Sequence, residues 1–323
     1  MTIFDNQFRA ILLILLVVLL RSLFLYKLPK KILTGLWAVV LLRLFIPYTQ
    51  SVAAGFSLPN LHTLLRPLLQ DRGPAADSAH SAATLTAFAV PWYLLAAWLA
   101  GGILLAAYFI VGHIRGKKIY RFACPVERED IRQWLRDNRI HRKIRILQCD
   151  EVSSALTYGL VRPVILLPSA MDFGDEEHVR FVLTHEMAHI RHFDVVWKWL
   201  SAAVLCLYWY NPMVWVMVVL LNRDIELHCD EQVLKKLGIT KKTKSEYALT
   251  LIALAEQKKG ILPLAGHFSR SATEERVLSI MHSRYAPVLF TAIALLGIAL
   301  IGALSFMTFV NEIAGIAFTL PLT

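Results

Sequence analysis

Charge and cysteine are both sparse in this chain. Only 18% of its 323 residues are charged, and Cys124, Cys149, Cys206 and Cys229 form no C-x-x-C pair. That excludes a paired-cysteine redox or metal motif. Cys229 lies near Glu226 in sequence, but a small buried thiol is the expected role. The leading end, residues 1–8, carries Asp5 and lacks a basic cluster, which excludes a cleavable signal peptide. No nucleic-acid-reading motif is present. The net charge of +10 is therefore not read as a nucleic-acid footprint, and no direct nucleic-acid contact is expected.

What the chain has in excess is apolar residues, at 56% with a mean hydropathy of +0.52. They fall in runs at 10–26 (interrupted by Arg21), 32–47, 88–111 and 287–310. Each approaches or exceeds the roughly 20 residues that cross a hydrocarbon core, so four transmembrane helices are predicted. Arg21, Lys27, Lys30 and Lys31 follow the first run, and Arg115, Lys117, Lys118 and Arg121 follow the third. The positive-inside rule places these on the cytoplasmic side. Both termini and the loop at about 51–85 are then external. Three regions follow: a membrane region at 1–112, a cytoplasmic domain at 113–286, and a fourth span with a short external tail at 287–323.

The cytoplasmic region reads as one α+β domain. Residues 126–138 have helical spacing, with Ile131, Trp134 and Leu135 on one side. Residues 144–148 alternate apolar and basic, as a half-buried strand does. Residues 153–168 read as two short strands around a glycine turn, the second placed at a sheet edge by Pro163 and Pro168. Asp175 is a helix N-cap with acids in the first turn. Val179, Val182, Leu183 and Met187 then run at helical spacing. The apolar stretch 195–221, broken by Lys198 and Asn211-Pro212, predicts a hairpin that dips into the inner leaflet. A fifth and sixth crossing is the competing reading.

The chemistry lies in His185-Glu186-Met187-Ala188-His189. Two histidines one helical turn apart present two imidazole nitrogens on one face, which suits a tetrahedral zinc. Glu186 sits where it can take a proton from the attacking water. A catalytic zinc wants a third protein ligand. Glu226 is the expected one, and Asp230, four residues on, accepts the N–H of a ligating histidine. His192, Asp194, His178 and His228 are rivals for the third position. Asp194 is better suited to orienting the end of the catalytic helix. The proposed edge strand offers Pro163, Val164, Ile165 and Leu166 as a place for substrate to add as a β-strand.

The segments at 158–168, 185–194, 209–215 and 226–231 resemble, in order and spacing, the bacterial BlaR/MecR antirepressor metallopeptidases. In sequence they read Tyr-Gly-Leu-Val-Arg-Pro-Val-Ile-Leu-Leu-Pro, His-Glu-Met-Ala-His-Ile-Arg-His-Phe-Asp, Trp-Tyr-Asn-Pro-Met-Val-Trp and Glu-Leu-His-Cys-Asp-Glu. The resemblance implies a multi-pass protein of the bacterial plasma membrane, with a gluzincin-like zinc protease domain inserted between helices three and four. Zinc would be held by His185, His189 and Glu226, with Glu186 catalytic. The implied partners are the lipid bilayer and a cytoplasmic repressor of the BlaI/MecI type, cleaved in signal transduction tied to antibiotic resistance. A homodimer is compatible with this reading. Members of this type carry an external penicillin-binding sensor after the last span. This chain stops at Thr323 with no serine acylation motif, so direct β-lactam sensing is not expected of it. The alternative family is the HtpX/CAAX type of membrane quality-control protease, in which the spans around the zinc domain are ordered differently.

Overall fold

Two long helices, α1 (Ile3–Phe24) and α2 (Lys30–Gly55), open the chain as a hairpin. The computed structural model describes residues 3–55, 91–257, 263–282 and 296–297. Ile14 and Val17 on α1 pack against Leu33, Trp37 and Leu44 on α2, all nearly inaccessible. The same core takes in Val204 from α6 (Asp194–Leu207) and Met217 and Leu221 from α7 (Pro212–Leu237). The turn between α6 and α7 falls at Asn211-Pro212. Proline fits the first helical position, and the Asn211 side chain accepts from the Met213 amide at 2.9 Å. Tyr208 ties the turn to α2 by donating to the Leu44 carbonyl at 2.8 Å.

Helix α3 (Trp92–Ile119) lies against α6. Trp98 Nε1 donates to the Leu207 carbonyl at 3.0 Å, and Trp209 Nε1 donates to the Trp98 carbonyl at 3.1 Å. Gly102 allows the close approach, since a Cβ there would sit 2.8 Å from the Cys206 carbonyl oxygen. Trp92–Lys118 is the one helix among the described residues long and apolar enough to cross a membrane. The apolar part of α1, Ala10–Phe24, is shorter. The expected fourth span at 287–310 lies outside the described residues apart from 296–297, and the loop at about 51–85 lies outside them beyond residue 55.

Below the helices sits a small sheet. β1 (Cys124–Pro125), β2 (Arg145–Cys149), β3 (Leu156–Tyr158) and β4 (Val164–Pro168) are ordered β1-β2-β4-β3. β4 is parallel to β2 and antiparallel to β3. The chain reverses between β3 and β4 at Gly159, whose φ of +87° favours a residue without Cβ. This order corrects the edge-strand reading. β4 is paired on both sides, and Val164, Ile165 and Leu166 are buried, so Pro163, Val164, Ile165 and Leu166 cannot receive an added strand. The prolines mislead because they bound β4 instead of interrupting it. Pro163 precedes the strand and Pro168 ends it, so neither missing N–H breaks the ladder. Among the described residues, β3 is the edge on that side.

α4 (Glu129–Asp137) and α5 (Glu176–His192) cover the sheet. Their core joins Ile131, Ile146, Ile165, Leu167, Val182 and Leu183. Asp175 caps α5, its carboxylate accepting from the His178 amide at 2.9 Å. α8 (Lys241–Gln257) and α9 (Pro263–His282) close the far side of α7, with Phe181, Val233, Tyr247, Leu251 and Ile280 between them. The segment leading towards the expected fourth span is therefore helical through residue 282. The fold is helix-rich α+β with a small sheet.

Candidate metal centre

α5 and α7 cross where their polar residues meet, and both helices are buried at that level. The Nε2 atoms of His185 and His189 are 3.2 Å apart. Glu226 sets one oxygen 3.4 Å from His185 Nε2 and the other 3.7 Å from His189 Nε2. The opposite side of each ring is engaged. His189 Nδ1 is 2.6 Å from Asp194 Oδ2. His185 Nδ1 is 2.9 Å from the Tyr247 hydroxyl, which donates to Asp230 Oδ1 at 2.7 Å. Nδ1 therefore carries the proton in both rings, and both Nε2 lone pairs point at the same space.

Two lone pairs facing each other at this distance repel unless a proton or a cation lies between them. A tetrahedral ion with bonds of about 2.0–2.1 Å has ligand-to-ligand edges of roughly 3.3–3.5 Å. The 3.2 Å between the two Nε2 atoms is close to such an edge, and Glu226 brings one oxygen near each ring, at 3.4 and 3.7 Å. Glu186 stands beside them, within a group whose donor atoms with His185 and His189 lie inside 4.8 Å of one another. The donor set of two imidazoles and neighbouring carboxylates fits a divalent metal. Burial works against charge on His185, but hydrogen bonds to Asp230 and Glu226 outweigh it and push its pKa up to about 9.

The structure brings together all five residues expected for the site: His185, Glu186, His189, Glu226 and Asp230. It adds three that the sequence reading does not contain. Tyr247, from α8, bridges His185 and Asp230. Arg276, from α9, grips Asp230 at 2.7 and 2.8 Å and reaches Glu226 Oε2 at 3.2 Å. Burial alone would raise the Asp230 carboxyl, but the Arg276 guanidinium holds it far below the usual range. Thr157, on β3, donates to Glu186 Oε2 at 2.7 Å. Of the rivals for third ligand, Asp194 faces the outer nitrogen of His189. Cys229 lies 3.3 Å from the same nitrogen, on the side away from Glu226.

Phe193 links α5 to α6 with φ +57°, a left-handed conformation rare for an aromatic residue. It turns the chain so that Asp194, the first residue of α6, points back at His189. The Arg142 guanidinium stacks on the Phe193 ring at 4.1 Å and donates to the Ile190 and Leu160 carbonyls.

His192 and His228 stack just outside the centre, with ring centroids 4.3 Å apart. Burial, then the neighbouring His192, push the His228 pKa down to about 4. An unfolded histidine takes its proton near 6.5. Stability from this residue is thus intact above pH 6.5 and falls as the pH drops towards 4. The loss should reach a few kcal/mol, because each tenfold difference in proton affinity between the folded and unfolded chain is worth about 1.4 kcal/mol. Denaturant titrations across that range should show the slope, and His228→Gln should flatten it. An equal slope in the variant would assign the acid lability elsewhere.

A cleft of about 310 Å³ opens on the centre. Ala155, Leu156 and Thr157 of the β3 side form one wall, and Leu251, Leu254 and Thr273 form the other. A buried His/Glu/His group that could hold a metal, at the floor of a cleft beside an edge strand, is the arrangement of a metallopeptidase. The family model described as BlaR1 peptidase M56 matches residues 1–280, and the chain belongs to that family. It is 28% identical over 171 residues to the regulatory protein BlaR1 of Bacillus licheniformis, a match covering 51% of this chain and 28% of the relative. It is 21% identical over 160 residues to the methicillin resistance mecR1 protein of Staphylococcus aureus, covering 46% of this chain and 26% of that protein. The mecR1 protein of Staphylococcus epidermidis matches equally. The aligned stretch thus spans less than a third of each relative.

Proposed function

We propose that this chain is an integral-membrane zinc endopeptidase of the BlaR/MecR type. Its substrate is a cytoplasmic transcriptional repressor of the BlaI/MecI type, cleaved in transmembrane signalling linked to an antibiotic response. The carrying observation is that the Nε2 atoms of His185 and His189 face each other at 3.2 Å with the Glu226 carboxylate beside both, at 3.4 and 3.7 Å. Family membership supports the peptidase reading, and the names of the relatives support regulation and resistance. The apolar runs support four membrane crossings, with the catalytic domain on the cytoplasmic side between the third and fourth.

His185, His189 and Glu226 would hold the zinc, which when bound supplies a water of lowered pKa and polarises the scissile carbonyl. Glu186 accepts the proton of the attacking water and returns it to the leaving amide nitrogen. Thr157 fixes one oxygen of that carboxylate. Asp194 and the Tyr247–Asp230 pair hold the imidazoles in the tautomer that leaves Nε2 free. A substrate segment would pair with the open edge of β3, which carries Thr157 and lines the cleft.

Detergent-purified chain incubated with the repressor encoded beside its gene tests the reading. One cut that chelator abolishes and added zinc restores is the expected result. An intact repressor in the presence of stoichiometric zinc would refute it.

A further inference from the structure

We propose that Arg21 is a positioning residue for the metal centre, holding Glu226 and Arg276 in place through Asp224 and Glu275. The proposal rests on the function assigned above for its catalytic meaning, and on the buried charges between α1, α2, α7 and α9 for its geometry.

Arg21 lies on α1 inside an apolar run, yet its side chain is buried in the protein. Nε donates to Asp224 Oδ1 at 2.8 Å, and Nη2 donates to Glu275 Oε1 at 2.6 Å. Trp37 Nε1, from α2, takes the other Asp224 oxygen at 2.6 Å. Asp224 is fully inaccessible, so the helical hairpin satisfies both of its oxygens. An ion pair this deep is a poor source of stability, because desolvation cancels much of its attraction. Breaking it leaves a buried charge unpaired, so the group enforces one arrangement of the helices.

What that arrangement fixes is clear from neighbouring positions. Asp224 and Glu226 are two residues apart on α7, about 200° around the helix. One faces the hairpin and the other faces the imidazoles. Glu275 and Arg276 are adjacent on α9; the first is held by Arg21, and the second holds Asp230 and Glu226. Glu231 and Asp230 repeat the pattern. Glu231 accepts from the Lys30 amide of α2 at 2.9 Å, and Asp230 accepts from Tyr247 and Arg276. Three times, a residue bound by the α1–α2 hairpin stands within two positions of a residue bound to the metal centre. Displacement of α1 along its axis would be felt at the ligand carboxylate through α7 and α9.

The test uses the full chain in detergent, as wild type, Arg21→Gln, Arg21→Lys and Trp37→Phe. Backbone hydrogen exchange is read with chelator present, and zinc affinity by competition with a chromogenic chelator. Arg21→Gln should speed exchange in α7 around Glu226 and in α9 around Arg276, leaving β2 and β4 unchanged. It should weaken zinc binding by up to about 10-fold, the low end of what loss of a group bonded directly to a ligand costs. Arg21→Lys should recover part of both effects. If Arg21→Gln does not fold, Trp37→Phe, which removes one hydrogen bond, should show smaller changes in the same segments. A folded variant with wild-type exchange in both segments overturns the proposal. Exchange altered in a chain that binds no zinc would keep the coupling and remove the peptidase reading instead.

Discussion

Glu186→Gln should leave zinc content unchanged and lower the rate of repressor cleavage by roughly 10²–10⁴-fold, the range for loss of a positioned general base. The amide keeps the size of the carboxylate and can still accept from Thr157, which lies 2.7 Å from Glu186 Oε2. Packing and metal binding are therefore preserved, while the ability to take a proton near neutral pH is lost. Elemental analysis and gel-based cleavage on one preparation separate the two properties. Retained cleavage would remove Glu186 as the base and leave the metal assignment standing.

Glu226→Gln acts on the other property. Removing the anionic ligand should weaken zinc binding beyond the roughly 10–100-fold that loss of an outer partner costs. The change also leaves Arg276 Nη1, now 3.2 Å from Glu226 Oε2, facing a neutral amide close to the cation site. Both effects have the same sign. Competition titration with a chromogenic chelator measures them. Unchanged affinity would mean that the third ligand is another residue. Glu186, whose carboxylate lies within 4.8 Å of the ligand nitrogens of His185 and His189, is the alternative on that side of the rings.

The parts of the site legible in the sequence are those with local spacing. His185 and His189 are one turn apart on a capped helix, and Glu226 and Asp230 repeat that interval on another. Tyr247 and Arg276 carry no such signal. Each comes singly from its own helix, and its role depends on how α8 and α9 fold back over α7. Arg21 shows a different difficulty. In the sequence it is one of the bases that set topology, and nothing local points to Asp224, 203 positions away. The strand at 164–168 is legible as a strand but not as an inner one. A short apolar run between prolines fits an edge or a centre equally well, and its parallel pairing with β2, across the intervening β3, leaves no local mark in the sequence.

The left-handed turn at Phe193 has a consequence beyond its shape. Glycine would adopt it freely, whereas an aromatic residue there stores on the order of 1–3 kcal/mol. Arg142 braces the turn by stacking on the ring and donating to the Ile190 carbonyl in the last turn of α5 and to the Leu160 carbonyl between β3 and β4. The aim of His189 is thus underwritten by a half-buried arginine preceding β2, outside the crossing helices altogether.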